Sequence, residues 1–130
     1  MDFVEPDRSV DVVAHAVIGA AIEVHRHLGP GFPEAVYEEA LCAEMAARGI
    51  AFARQVPIIV QYKGSRVGEA RLDLLVGGCL IVELKAVELS TIHGAQLSSY
   101  LKAARLQIGL LITFDVTVLR KGIRRIIASR

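Results

Sequence analysis

Residues 70–87 read ARLDLLVGGCLIVELKAV, two apolar segments joined by a Gly-Gly pair. Such a pair between apolar runs predicts a turn between two β-strands. On the second strand, Glu83 and Lys85 project from one face and Leu84 from the other, because side chains alternate along a strand. The surrounding apolar residues are typical of a strand buried on both faces, where a charged side chain is tolerated when it is paired or bound to a metal.

The length of the turn determines whether Asp73, on the first strand, meets Glu83. A two-residue turn would place Leu72 opposite Glu83 and direct Asp73 away from it. A three-residue turn over 77–79 places Asp73 opposite Glu83 on the same face. We predict the three-residue turn, or a bulge with the same effect.

The composition predicts one domain, residues 1–130, with a substantial core. The hydrophobic fraction of 53% indicates extensive buried sheet or an oligomer interface, and we expect a homo-oligomer, specifically a dimer. No apolar run of membrane-spanning length is free of charge, so we expect no membrane association. The acidic start lacks the basic segment of a secretory signal, and neither cysteine has a second one nearby. We therefore expect a reducing, cytoplasmic location.

The formal net charge is only +1 and aromatic residues make up 5% of the chain. The chain as a whole is therefore neither strongly attractive to nucleic acid nor well supplied with groups that stack on bases. A contact with DNA requires a local basic patch, and the best candidate lies near the C-terminus. A solvated edge strand that blocks aggregation explains this cluster equally well. The cluster consists of Arg120, Lys121, Arg124, Arg125 and Arg130.

Hydrophobic periodicity predicts an α/β fold with the element order α-α-β-β-β-α-β-β. A mixed central sheet of about five strands is flanked by α-helices. Pro57 places the first strand at a sheet edge or a bulge. The strand–helix–strand unit from Leu80 to Phe114 is expected to be a crossover between parallel strands. The predicted helices are at 9–28, 33–48 and 90–105, and the predicted strands at 53–62, 66–76, 80–87, 106–114 and 117–128.

Asp73 and Glu83, on adjacent strands, offer hard oxygen ligands that suit Mg²⁺ or Mn²⁺, and the backbone carbonyl of Leu84 can complete the site. A metal ion held there lowers the pKa of a bound water and neutralises charge on a phosphate. Lys85 can orient the attacking water, deprotonate it or stabilise the developing negative charge. Taken alone, Glu83 and Lys85 are equally well explained as an ion pair on a half-exposed strand.

Residues on two predicted helices can reach the same pocket. Gln96 and Tyr100 lie on the crossover helix, from which they can position the lysine or a phosphate. Glu34, on the second helix, can add a further carboxylate. Glu34 shares a helix face with Glu38, and the alternative is that both acids are solvated and one of them complements the helix N-terminus.

Several motifs in order along the chain resemble known nucleases. Asp73, then Glu83-Leu84-Lys85, then a helix with Gln96 resemble the PD-(D/E)XK nuclease superfamily. Gly31-x-x-Glu34-x-x-Tyr37, together with QLSSYL at residues 96–101, is similar to the small prokaryotic GxxExxY family. The Gln-x-x-x-Tyr feature of that family is shared with RecB-like and lambda-exonuclease-like members. The resemblance extends from about Leu28 to Ile127.

The resemblance implies a restriction-endonuclease-like core and a Mg²⁺- or Mn²⁺-dependent hydrolysis of phosphodiester bonds in DNA. Two alternatives stay open: a non-catalytic module that retains the fold for nucleic-acid binding or assembly, and a nuclease subunit that requires a protein partner for substrate binding. The roles that the resemblance implies are metal ligands for Asp73 and Glu83, the catalytic lysine for Lys85, the helix acid for Glu34, and supporting residues for Gln96 and Tyr100.

Overall fold

The computed structural model describes residues 8–128, which form three α-helices and five β-strands in the predicted order. Among these residues, no helix is long and apolar enough to cross a membrane. The helices are α1 (Arg8–Leu28), α2 (Glu34–Ala47) and α3 (Thr91–Ala104), and the strands are β1 (Phe52–Tyr62), β2 (Ser65–Val76), β3 (Leu80–Lys85), β4 (Ile108–Thr113) and β5 (Ile123–Ile127).

The five strands form one mixed sheet in the order β1-β2-β3-β4-β5. The pairs β1–β2, β2–β3 and β4–β5 are antiparallel, whereas β3 and β4 are parallel and are connected through α3. Pro57 lies on the edge strand β1, where a missing backbone donor is tolerated. The α/β fold class, the edge position of Pro57 and the parallel crossover are therefore confirmed.

The two faces of the sheet support two separate hydrophobic clusters. Helices α1 and α2 cover one face, where Leu41 and Met45 of α2 pack with Leu84 of β3. Helix α3 covers the other face, where Leu97 and Leu101 are fully buried in the second cluster. Full burial of such a side chain contributes about 1.5–3 kcal/mol, so α3 is held firmly against the strands that carry the candidate site.

The prediction of a last strand over 117–128 is wrong in its first half. A 3-10 turn, Leu119–Gly122, precedes β5. Leu119 is buried against α1, and Gly122 lies so close to the backbone oxygen of Thr113 that a side chain there would collide with it. This packing requires a tight turn at a place where the alternation of apolar residues imitates a strand.

Candidate active site

The turn between β2 and β3 consists of residues 77–79, as predicted. The backbone ladder pairs Leu74 with Val82, and its continuation places Asp73 opposite Glu83. The ladder ends at Leu74, however, so the two strands separate where the acidic residues begin. The candidate site lies at this fork.

Two crossed hydrogen bonds replace the ladder at the fork. The Asp73 backbone N–H donates to Glu83 Oε2 at 2.8 Å, and the Leu84 backbone N–H donates to Asp73 Oδ2 at 2.9 Å. Each carboxylate therefore takes the place of a backbone carbonyl of the missing ladder. The other oxygen of each carboxylate accepts no hydrogen bond from residues 8–128 and stays available to a ligand. The structure thus brings together the two predicted strand acids.

A sharp local twist of β2 creates the fork. Leu72 packs in the cluster under α3, whereas Leu74 packs in the cluster under α1 and α2. Residues two apart on a regular strand share a face, so the strand rotates at Asp73 between them. On the neighbouring strand β1, Gln55 has a left-handed φ of 51°. Gln55 and Asp73 lie opposite each other but are not paired in the β1–β2 ladder. At this twist, Asp73 lies close enough to Glu34 of α2 and to Tyr100 of α3 for its charge to contribute to the raised pKa of each, after the effect of burial.

Tyr37 fixes the loop from which Glu34 enters the site. Its ring stacks on Phe114 at 4.3 Å with an interplanar angle of 2°. Its hydroxyl donates to the Gly29 carbonyl at 2.5 Å and accepts from the Phe32 N–H at 3.2 Å. Helix α2 begins at Glu34, directly after this loop. The sequence places Tyr37 on a helix face and in a motif, but its anchoring role depends on a contact with the distant Phe114 that no local pattern predicts.

Replacement of Tyr37 by phenylalanine is expected to destabilise the protein by about 1–3 kcal/mol, because the stacked ring is retained while two backbone groups lose their partner. Urea unfolding measures the change. The matched control is Tyr62→Phe, since Tyr62 is 63% exposed and its hydroxyl makes no hydrogen bond within residues 8–128. Its expected effect is below about 0.5 kcal/mol. Equal losses in the two variants would contradict the anchoring role.

Glu38 is not the solvated acid of the alternative interpretation. It is buried, and Arg54 donates to its Oε2 from two nitrogens at 3.1 and 3.0 Å. The side-chain amide of Gln55 donates to its Oε1 at 3.2 Å. Glu38 therefore ties α2 to the irregular part of β1 beside the fork. Glu34 differs from it: within residues 8–128 its carboxylate has no ion-pair or hydrogen-bond partner, and it is exposed on the first turn of α2.

The acids at the fork form a centre of excess negative charge. Burial and the neighbouring charge of Asp73 raise the pKa of Glu83 to about 8, although the Asp73 N–H and Lys85 act in the opposite direction. Burial is also the first cause that raises the pKa of Asp73. The pKa of Glu34 is raised by partial burial and then by the charge of Asp73, with Lys85 opposing. These three carboxylates and Lys85 therefore act on one another electrostatically.

The residues of α3 lie on the other side of the fork. Burial and then the charges of Glu83 and Asp73 raise the pKa of Tyr100, which places its hydroxyl in the field of the two strand acids. Gln96 lies one turn earlier on the same side of the helix, exposed and without a side-chain hydrogen bond in the described part of the chain. It is therefore available to a substrate.

The members of the predicted basic cluster differ in their surroundings. Arg125 forms an ion pair with Asp11 of α1. Arg120 lies on the 3-10 turn and lines a groove with α1, whereas Lys121 and Arg124 line a separate cleft beside Thr113. Arg130 lies outside the described residues. Arg120 and Lys121 lie on the 3-10 turn, whereas Arg124 and Arg125 lie on β5, and the contact of the cluster with nucleic acid stays a prediction.

The donor set suits a hard divalent cation. Asp73 and Glu83 each retain a free oxygen, and a cation would offset the burial and the repulsion by Asp73 that raise the pKa of Glu83. Within residues 8–128, no group of three or more histidine, cysteine or acidic side chains converges closely enough to hold a metal. Glu34 is thus not a third ligand in this conformation, and the fitting set is the two strand carboxylates with the Leu84 carbonyl.

The family model of the PD-(D/E)XK nuclease superfamily matches residues 11–126. The chain belongs to this superfamily. Members of the PD-(D/E)XK superfamily are generally nucleases that act on phosphodiester bonds and use divalent metal ions. The matched region includes the paired acids at the fork and Lys85, which follows them.

A comparison with solved structures finds a similar fold. The crystal structure of SSO0001 is similar, with a TM-score of 0.55 and 16% sequence identity. The similar region covers 72% of this chain and 48% of SSO0001, so the chain spans about half the length of that protein. No curated protein matches the sequence.

Proposed function

We propose that this PD-(D/E)XK domain is a Mg²⁺- or Mn²⁺-dependent nuclease that hydrolyses phosphodiester bonds in DNA, and that it belongs to the GxxExxY family. The crossed hydrogen bonds of Asp73 and Glu83 carry the proposal, because they hold two acids at the end of the strand that presents Lys85. A cytoplasmic location and a dimeric state are parts of the same proposal. The buried Cys42, which forms no disulfide, supports the location, and the exposed Val12 and Ile92 support the dimer.

Asp73, Glu83 and the Leu84 carbonyl would hold the metal ion. When bound, such an ion supplies a Lewis acid that lowers the pKa of a coordinated water and neutralises charge on the phosphate. The protein contributes rigidity, since one oxygen of each carboxylate is fixed by a backbone N–H and the second oxygen is thereby oriented. Glu34 adds negative charge from α2, which strengthens the attraction for a cation without a direct bond.

Lys85 follows Glu83 on the same face of β3, at the end of the strand. Its ammonium group lies close enough to Glu34, Asp73 and Glu83 to act on all three carboxylates. In the proposed reaction it stabilises the negative charge that develops on the phosphate. Gln96 and Tyr100 position Lys85 or a neighbouring phosphate from α3.

A second candidate function is a non-catalytic module, or a subunit that requires a protein partner for DNA binding. The absence of a three-ligand metal cluster in residues 8–128 and the net charge of +1 favour it. In either case Lys121 and Arg124 are the candidate phosphate contacts that the predicted basic cluster retains. The cleft that they share is also lined by Glu88 and Asp115, which partly offset their charge. Arg125 is less suitable, because Asp11 already neutralises it.

Calorimetric titration with Mn²⁺ tests the proposal directly. Wild type is expected to bind one ion. Asp73→Asn retains an oxygen acceptor for the Leu84 N–H and is expected to bind the ion at least about tenfold more weakly, the size of effect that changes around a metal site typically have. The matched control is Asp115→Asn, at an exposed acid outside the fork. Cleavage of plasmid and oligonucleotide DNA is then compared in the same three proteins. Equal cleavage by wild type and Asp73→Asn would refute the nuclease mechanism.

A further inference from the structure

A groove of about 520 Å³ lies between the edge strand β1 and the C-terminal half of α3. Its lining includes Ile59, Val60 and Gln61 from the strand and Lys102, Ala103 and Arg105 from the helix end. None of the lining residues is acidic. The groove thus combines an apolar wall with two cations and is distinct from the basic cluster near the C-terminus.

An irregularity in β1 shapes the strand side of the groove. Ile59, Val60 and Gln61 are consecutive, yet all three line it. On a regular strand they would alternate between faces, but the β1–β2 register shifts between Val60 and Gln61. A bulge of this kind redirects side chains, and it also disrupts an edge to which another strand would add. The groove is therefore poorly suited to a second copy that pairs through β1.

The positive charge of the groove favours an anionic ligand. Five arginines of the described region have an acidic partner, among them Arg26, Arg48 and Arg54. By contrast, the side chains of Lys102 and Arg105 are exposed and form no ion pair or hydrogen bond within residues 8–128. Their position at the end of α3 complements the helix dipole, and this accounts for two cations but not for the apolar wall beside them.

The groove and the candidate active site share helix α3. Tyr100 lies in the field of Glu83 and Asp73. Lys102 and Arg105 follow it by two and five residues, about 3 and 8 Å along the helix axis at 1.5 Å per residue. The two cations thus lie on, or directly after, the helix that carries Tyr100, within two turns of it.

We propose that this groove binds the nucleic-acid strand that flanks the scissile phosphate, and that the occupant is single-stranded. The inference rests on the proposed nuclease function. Lys102 and Arg105 contact two phosphates, and the apolar side chains of Ile59, Val60 and Ala103 contact unstacked bases or sugars. A duplex presents mainly phosphates and sugars on its outside and would leave this apolar wall unused.

The test is an equilibrium binding measurement without turnover. Fluorescence anisotropy in EDTA follows a labelled oligothymidylate of about 12 nucleotides and a duplex of the same length. The variant is Lys102→Gln with Arg105→Gln. Its matched control is Arg26→Gln with Arg48→Gln, which removes the same charge from the ends of α1 and α2. Thermal unfolding of each variant confirms that it is folded.

The groove variant is expected to lose about tenfold in affinity for the single strand, whereas the control loses less than about twofold. The plot of log affinity against log salt is expected to become shallower by about 1.4, because each phosphate contact on a single strand contributes about 0.7. Three results would overturn the proposal: no binding by wild type at low salt, equal losses in both variants, or tighter, groove-dependent binding of the duplex. The test measures binding and not cleavage, so its result can be interpreted even if the nuclease proposal fails.

Discussion

Replacement of Lys85 by methionine is expected to lower the rate constant of DNA cleavage by about 10²–10³ and to leave the Mn²⁺ affinity within a few-fold of wild type. The factor corresponds to the loss of one preorganised positive group at the place where negative charge develops. Methionine retains the length of the apolar stem, so the half-buried end of β3 keeps its packing. Single-turnover cleavage at saturating Mn²⁺ measures the rate constant.

The pH of this comparison matters, because Lys85 lowers the pKa of both strand acids. Without the lysine, Glu83 holds its proton more strongly, and the proton competes with the metal ion near neutral pH. The affinity is therefore compared at a pH of about 9, where Glu83 is ionised in wild type. The control is Lys63→Met, at the exposed β1–β2 hairpin. A loss of metal binding with an unchanged rate constant would contradict a catalytic role and indicate a purely structural one.

Local sequence signals were sufficient for the element order and for the central turn. The Gly77-Gly78 pair, the apolar runs on both sides and the three-residue register predicted that Asp73 and Glu83 would meet, and the structure confirms it. The parallel pairing of β3 and β4 followed from the crossover helix between two buried runs. These features depend on neighbouring residues and on topological rules, which a single sequence displays.

Contacts between residues distant in sequence were not predictable in the same way. The stacking of Tyr37 on Phe114 and the ion pair of Arg54 with Glu38 join segments whose approach is set by the whole fold. The left-handed backbone of Gln55 has no local signal, because a glutamine ordinarily avoids that conformation. The fork at Asp73 and the bulge beside the α3 groove depend on such irregularities, so the sequence predicted which acids meet but not how they are held.

The metal-free protein is expected to become less stable as the pH rises toward 8, and Glu83→Gln is expected to remove most of this dependence. In the folded protein the pKa of Glu83 is raised from 4.5 to about 8. Between these values the folded state retains a proton that the unfolded state has lost, so the free energy of unfolding falls with rising pH. Glu34 and Asp73 contribute in the same direction, since their pKa values are also raised.

Urea unfolding in EDTA at pH values of about 6 and 8.5 measures the effect. Over this pH interval, the free energy of unfolding is expected to fall by about 2–3 kcal/mol more in wild type than in Glu83→Gln, as a single pKa of about 8 implies. The glutamine retains an oxygen that can accept from the Asp73 N–H, so the comparison isolates the charge. Glu88→Gln, at an exposed acid, is expected to retain the wild-type slope.

Saturating Mn²⁺ provides the complementary measurement on wild type. A bound cation keeps Glu83 ionised in the folded state, so the fall in stability between these pH values is expected to disappear, and proton release on binding is expected to decline as the pH approaches 8. If the free energy of unfolding of wild type in EDTA does not change with pH, the raised pKa of Glu83 is contradicted. A slope that persists in both EDTA and Mn²⁺ would instead show that the charge at the fork is not relieved by a metal ion, and would favour the non-catalytic module.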